Sequence, residues 1–289
     1  MIYIINLSKK PLYILTENLN FFYRLKKELD KNNIKYKILN IGEKVPAFSS
    51  IILSTLDETS YCYDEINDLV VLPYSKTQNF EQYILQVVAA YRIGYKEQYS
   101  NVMFSIDPGT KYIGVATFID DYYLESRTLY TKEDTVAYIR KISNLLRFSD
   151  SKPLELYFKF GSGVLGLSYE IIQELFSKLN KEAIKNVYLV DEISTSKNRL
   201  TLNNKKVPKH ESAAIQLALR GGLKINESNF DQIFKKVKYE QIKNFSVKKD
   251  YFNRLKDQNI DIKLIAEKIL NGNLSLSEAM NIINSYFIE

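Results

Sequence analysis

The stretch Val102–Phe118, VMFSIDPGTKYIGVATF, decides how the chain is read. An apolar run (Val102, Met103, Phe104, Ile106) ends on an acid, Asp107; a Pro108-Gly109 turn follows, and a second β-rich run from Lys111 to Phe118 carries a lone Gly114. The pattern predicts two adjacent strands with a carboxylate at the mouth of their turn. Asp-Pro-Gly-Thr is also common turn chemistry, with Pro fixing φ and Gly expected at φ > 0, so taken alone the stretch reads first as a plain hairpin. Only residues far away in the chain can make Asp107 more than that.

Working outward, Asp120-Asp121 supplies the next turn and Tyr122 to Tyr130 a third strand. An amphipathic helix from Lys132 to Arg147 follows, with Val136, Ile139, Ile142, Leu145 and Leu146 on one face. Leu154 to Phe160 reads as a fourth strand running into a glycine-rich loop, Gly161 to Gly166; Ser168 to Asn180 as a helix; and Val187 to Val190 as a fifth strand ending at Asp191-Glu192. A last helix, from about Lys209 to Leu219, ends at Gly221-Gly222. The order β-β-β-α-β-α-β-α is that of the RNase H-like fold, in which three antiparallel strands feed two parallel ones through right-handed crossovers. In such a sheet the ends of strands one, four and five lie together, so acids distant in sequence converge.

Three segments carry a family resemblance. IDPGTKYIGVA resembles the first motif of the RuvC and YqgF branch of RNase H-like proteins, VYLVDEIST its YqgF-type strand ending in Asp-Glu, and HESAAIQLAL the last helix of both. The resemblance covers about Asn101 to Leu223, and members of this branch are two-metal nucleases acting on branched DNA or precursor RNA, or inactive relatives of these. It implies Asp107 as the central metal ligand, with Asp191, His210 and Glu192 completing a set for Mg²⁺ or Mn²⁺, and Asp107, Asp191 and His210 as the catalytic residues. Such chemistry needs hard oxygen donors around cations roughly 3.5 to 4 Å apart.

The chain also departs from that pattern. The fourth strand, LELYFKF, offers Glu155 early and Lys159 late where the family has an acid; Lys159 could mimic a missing cation, or the two could form an ion pair. Ile193 stands where the YqgF pattern has arginine, and Ala213 where the last helix has its second acid; Glu211, one step off, should point about 100° away. His210 is the only histidine. The segment between Asp191-Glu192 and His210 carries Lys197, Arg199, Lys205, Lys206 and Lys209 without an acid after Glu192; it reads as a solvated loop or, flanking the site, as the phosphate contacts of a nucleic acid. Gly161, Gly163 and Gly166 would let backbone approach a phosphate, or simply make a flexible turn.

The rest of the chain reads as framework. Its 289 residues suit a small flavodoxin-like or Rossmann-like α/β domain (1–97), the RNase H-like domain (98–223) and a helical C-terminal module (224–289). In the first, strands near Pro11–Leu15, Lys35–Ile41, Ser50–Leu53 and Leu69–Leu72 alternate with helices at Asn18–Lys31, whose stripe is Leu19, Phe22, Leu25 and Leu29, and at Asn79–Ile93. No phosphate loop appears there, and the acids between Asp57 and Asp68 read as a solvated loop. A net charge of +6 is compatible with a nucleic-acid partner, DNA or RNA, and a homodimer is left open. The single Cys62 excludes an internal disulfide, the N-terminus reads as neither signal peptide nor anchor, and no run suits a membrane span, which together lead to the expectation of a cytoplasmic protein. Two rival readings are a nuclease-dead scaffold of the same fold and an actin-like nucleotide-binding fold, the latter requiring a second RNase H-like half that the N-terminal third does not show.

Overall fold

In the computed structural model, residues 11–32, 34–43, 50–62, 69–96, 99–146, 154–192, 199–202, 205–243 and 261–285 are described. The chain divides into two compact units, Met1–Gln98 and Tyr99–Glu289.

The first unit holds a four-stranded, all-parallel sheet: β1 (Leu12–Leu15), β2 (Lys37–Leu39), β3 (Ser50–Thr55) and β4 (Leu69–Tyr74), in the order β2-β1-β3-β4. Helices α1 (Leu19–Lys31) and α2 (Phe80–Ile93) start at asparagine caps, Asn18 and Asn79, whose side chains accept first-turn N–H groups. The buried stripe of α1 is Phe21, Leu25 and Leu29, and Leu19 is 67% exposed, so the face is rotated from the Leu19–Phe22 expectation. Phe21 wins because its ring stacks on Tyr74 at 5.3 Å beside Tyr83. Glu58 is not a solvated acid: its carboxylate accepts from the hydroxyls of Thr16 and Thr55 and the N–H of Glu17, tying the turn after β1 to that after β3. Asp64, Glu65 and Asp68 lie outside the described residues.

The second unit is built on a six-stranded mixed sheet. Strands β5 (Asn101–Pro108), β6 (Ile113–Ile119) and β7 (Tyr122–Leu129) are antiparallel; β8 (Glu155–Gly161) and β9 (Ile184–Val190) run parallel to β5. After two-residue strands β10 (Thr201–Leu202) and β11 (Lys205–Lys206), β12 (Leu223–Ile225) adds an antiparallel edge that the helical reading from Lys224 onward did not anticipate. The order β12-β9-β8-β5-β6-β7 is the RNase H-like order with one strand added. Helices α3 (Lys132–Leu145) and α4 (Leu165–Lys178) provide the two crossovers, and α5 (Lys209–Ala218) follows β9. Asp120 and Asp121 both take positive φ, 45° and 71°, and so close a tight hairpin whose twist suits the strands.

Alternation along β5 explains the packing. Phe104 stacks on Phe158 at 5.6 Å on one face, while Met103, with Ala116 and Phe118, meets Ala214, Ile215 and Ala218 of α5 on the other. Asp107, in phase with Met103 and Ser105, is thereby carried to the α5 side. The last two helices belong to this same core. After α6 (Phe230–Lys243), α7 (Ile262–Leu270) and α8 (Leu276–Ser285) contribute Ile265, Ala266, Ile269, Leu276, Ala279 and Ile283 to it. Ser275 and Glu278 form the expected capping box, and Gly272 (φ 72°) ends α7. No helix among the described residues is long and apolar enough to cross a membrane.

Candidate functional site

The candidate site lies where β5, β8 and β9 end together and α5 begins. Asp107, the penultimate residue of β5, is buried, and its Oδ2 is 3.0 Å from Nδ1 of His210 in the first turn of α5. Two glycines make that approach possible. Gly114 is the cross-strand partner of Asp107, and a Cβ there would stand 2.1 Å from the carbonyl oxygen of His210. Gly109 does not adopt the positive φ expected of the turn; it is needed for space, since a Cβ would sit 2.5 Å from the Tyr112 carbonyl oxygen and 3.2 Å from the His210 ring.

Glu192 enters from the end of β9. Its carboxylate fills the positions that side chains at Gly161 and Gly163 would occupy, with Oε1 1.8 Å from the Gly161 Cβ position and Oε2 2.1 Å from that of Gly163. These glycines therefore cradle a carboxylate of the chain itself, where a phosphate-binding or merely flexible turn was anticipated. Burial, then the charge of Asp107, and less strongly that of Asp191, push Glu192 up to about 7, against the pull of the Gly163 N–H and the Arg220 guanidinium. Burial also raises the Asp107 carboxyl, with His210 and Lys209 opposing. Asp191 is half-buried, and its carbonyl accepts from Nη1 of Arg220 at 2.7 Å. Arg220, only 6% exposed, was missed in the sequence because LALRGG presents it as the surface end of a helix.

The reserve residues go elsewhere. Glu211 accepts from the hydroxyls of Ser126 (2.6 Å) and Thr128 (2.9 Å) on β7, the direction away from Asp107 that helical geometry dictates. Glu155 and Lys159 do not pair. Glu155 accepts from Tyr157 and faces Lys185, while buried Lys159 donates to the carbonyls of Ala218 and Arg220 at the end of α5; burial lowers its ammonium to about 8. Of the basic residues, Arg199, Lys205, Lys206 and Lys209 are exposed without an ion-pair partner among the described residues; Lys197 lies outside them. Among the described residues no group of three or more His, Cys, Asp or Glu side chains is arranged to hold a metal ion.

The burial of Glu192 has a measurable consequence. The unfolded chain titrates this group near 4.5 and the folded chain near 7, so the folded state binds the proton more tightly and loses stability as pH rises from 4.5 through 7. The cost levels off above pH 7 at no more than about 3 kcal/mol, less because the residue is half-buried. Glu192→Gln should therefore raise the melting temperature at pH 8 by roughly 3 to 8 °C and leave it unchanged at pH 4. Equal melting temperatures of the two proteins at pH 8 would show that the carboxylate carries no such strain.

No family model and no curated protein matches the chain. Among solved structures it is similar to an Aa-Ago chain crystallised with externally bound siRNA, at 12% identity over 78% of this chain and 48% of that one, with a TM-score of 0.24. It is also similar to an exopolyphosphatase from Cytophaga hutchinsonii, at 13% identity over 58% of each chain, with a TM-score of 0.14. The chain thus spans about half the length of the Aa-Ago chain, and likenesses this slight carry no inference about activity.

Proposed function

We propose that the second unit binds nucleic acid and hydrolyses its phosphodiester bonds with the help of Mg²⁺ or Mn²⁺ at the Asp107–Glu192 end of the sheet. The observation that carries this reading is the pairing of Asp107 with His210 beside a second carboxylate, Glu192, whose titration is raised by burial and then by Asp107's charge. Two neighbouring carboxylates are hard donors that a divalent cation would relieve of their repulsion, and Mg²⁺ commonly takes only one or two carboxylates, filling its shell with water and phosphate oxygens. Asp107 and Glu192 would hold the ion, with Asp191 adjacent; it would supply an acidified water and charge for the phosphate. With Nδ1 turned to Asp107, His210 has Nε2 left to take or give a proton at the substrate, and the carboxylate fixes the ring. Arg199, Lys205, Lys206 and Lys209, with Lys197, would neutralise the phosphate backbone.

A nuclease-dead scaffold is the second reading, favoured by the lack of a three-donor cluster among the described residues and of an acid at the end of β8. Calorimetric titration of Mn²⁺ at pH 8 separates the two. A saturable heat that disappears in Asp107→Asn is expected; no heat with the unaltered chain would leave the scaffold reading standing.

A further inference from the structure

Beside the Asp107–His210 pair the surface carries rings that the core does not use. Tyr112, in the β5–β6 turn, has its ring centroid 5.6 Å from that of His210 and 5.7 Å from that of Tyr130, which follows β7. The three rings thus follow one another from His210 through Tyr112 to Tyr130, across the strand ends toward β7, the edge strand of the sheet. Tyr112 is 38% exposed and Tyr130 69%, and neither hydroxyl has a hydrogen-bond partner among the described residues. Lys111 and Lys209, exposed at the start of this row, form no ion pair with a described carboxylate.

We infer that Tyr112 and Tyr130 are a base-stacking platform, and that the site takes a single-stranded or locally unpaired nucleic-acid segment in preference to intact duplex. This rests on the nucleic-acid reading given above and adds the substrate class. A tyrosine ring offers a large stacking face at little loss of conformational freedom, and every base has a π-face to meet it. Inside a duplex those faces are already stacked on neighbouring pairs, so exposed rings contribute only where bases are free. Lys111 and Lys209 would hold the phosphates of the same segment while its bases rest on the rings. The row begins at His210, so the stacked segment would present its backbone to the Asp107 end of the sheet.

The test measures fluorescence anisotropy of labelled oligothymidine, oligouridine and a blunt DNA duplex, using the full chain in the Asp107→Asn background so that cleavage consumes no probe. Tyr112→Ala and Tyr130→Ala should each weaken single-strand binding about tenfold, and the double variant more, with duplex binding altered less than about threefold. Tyr130→Phe, which keeps the ring, should restore what Tyr130→Ala loses. Single-strand affinity unchanged in the double variant, or equal losses for strand and duplex, would overturn this inference while leaving the nucleic-acid reading intact. Failure of the Asp107→Asn chain and of the unaltered chain to bind any of the three probes would overturn both.

Discussion

Replacing Asp107 by Asn should lower any metal-dependent phosphodiester cleavage by about a thousandfold or more while leaving the fold in place. A bound cation contributes several kcal/mol of transition-state stabilisation, and each 1.36 kcal/mol is a factor of ten, so losing the anionic oxygen at the centre of the site removes at least about three such factors. Asparagine matches aspartate in shape and retains an oxygen to accept from Nδ1 of His210, so the helix stays seated. A second readout belongs to the same substitution. Asp107's charge is, after burial, the largest cause raising Glu192 to about 7; without it Glu192 ionises at lower pH and the stability lost between pH 4.5 and 7 shrinks. The measurement pairs time courses on labelled branched DNA and structured RNA with Mn²⁺ and thermal melts at pH 5 and 8. Cleavage undiminished in the variant would refute the role given to Asp107. A smaller melting-temperature difference between the two pH values is expected whether or not the site cleaves.

How much of this could be read beforehand follows from the range of the forces involved. The strands and α5 were legible because period-two and period-3.6 patterning are local, and because turn and cap residues such as Asp120-Asp121, Ser275-Glu278 and Gly272 act within a few positions. The convergence of Asp107 and His210 was legible only through element order, which places the ends of the parallel strands together. Close contacts between distant backbones were not. Gly161 and Gly163 read as a phosphate approach or a flexible turn because the sequence shows that glycines leave room and not what fills it; the occupant, the Glu192 carboxylate, lies about thirty residues on. Strand alternation offers Lys159 either an ion pair with Glu155 or the place of a missing cation. The structure sends it instead to the carbonyls ending α5, whose unsatisfied oxygens and negative dipole end offer a buried ammonium more than a half-exposed glutamate would. Arg220 was invisible for a similar reason: its partner is the backbone of Asp191, and no side-chain pattern announces such a bond.

The lone Gly114 in the opening stretch marks the second large effect. It lies opposite Asp107 in the β5–β6 register, and the first turn of α5 rests on it so closely that a methyl group would meet the carbonyl oxygen of His210 at 2.1 Å, its carbon at 2.3 Å and the N–H nitrogen of Glu211 at 3.0 Å. All three are backbone atoms, so no rotamer change relieves the clash; the helix must lift. Its start is also fixed by Glu211 on Ser126 and Thr128, and its body by Ala214, Ile215 and Ala218 in the core. Lifting it therefore opens packed surface. Gly114→Ala should cost roughly 3 kcal/mol, a fall of about 6 to 12 °C in melting temperature, and should lengthen the His210–Asp107 contact enough to reduce any cleavage by about a hundredfold. The single histidine makes the displacement observable directly, since its ring protons give one set of NMR resonances that should shift away from those of the unaltered chain. The comparison variant is Gly166→Ala, where a Cβ meets nothing within 4 Å; it should leave both the melting temperature and the histidine resonances close to their original values. If Gly114→Ala behaves like Gly166→Ala, α5 does not rest on β6 at this point, and the seven-residue spacing from Asp107 to Gly114 loses its physical reason.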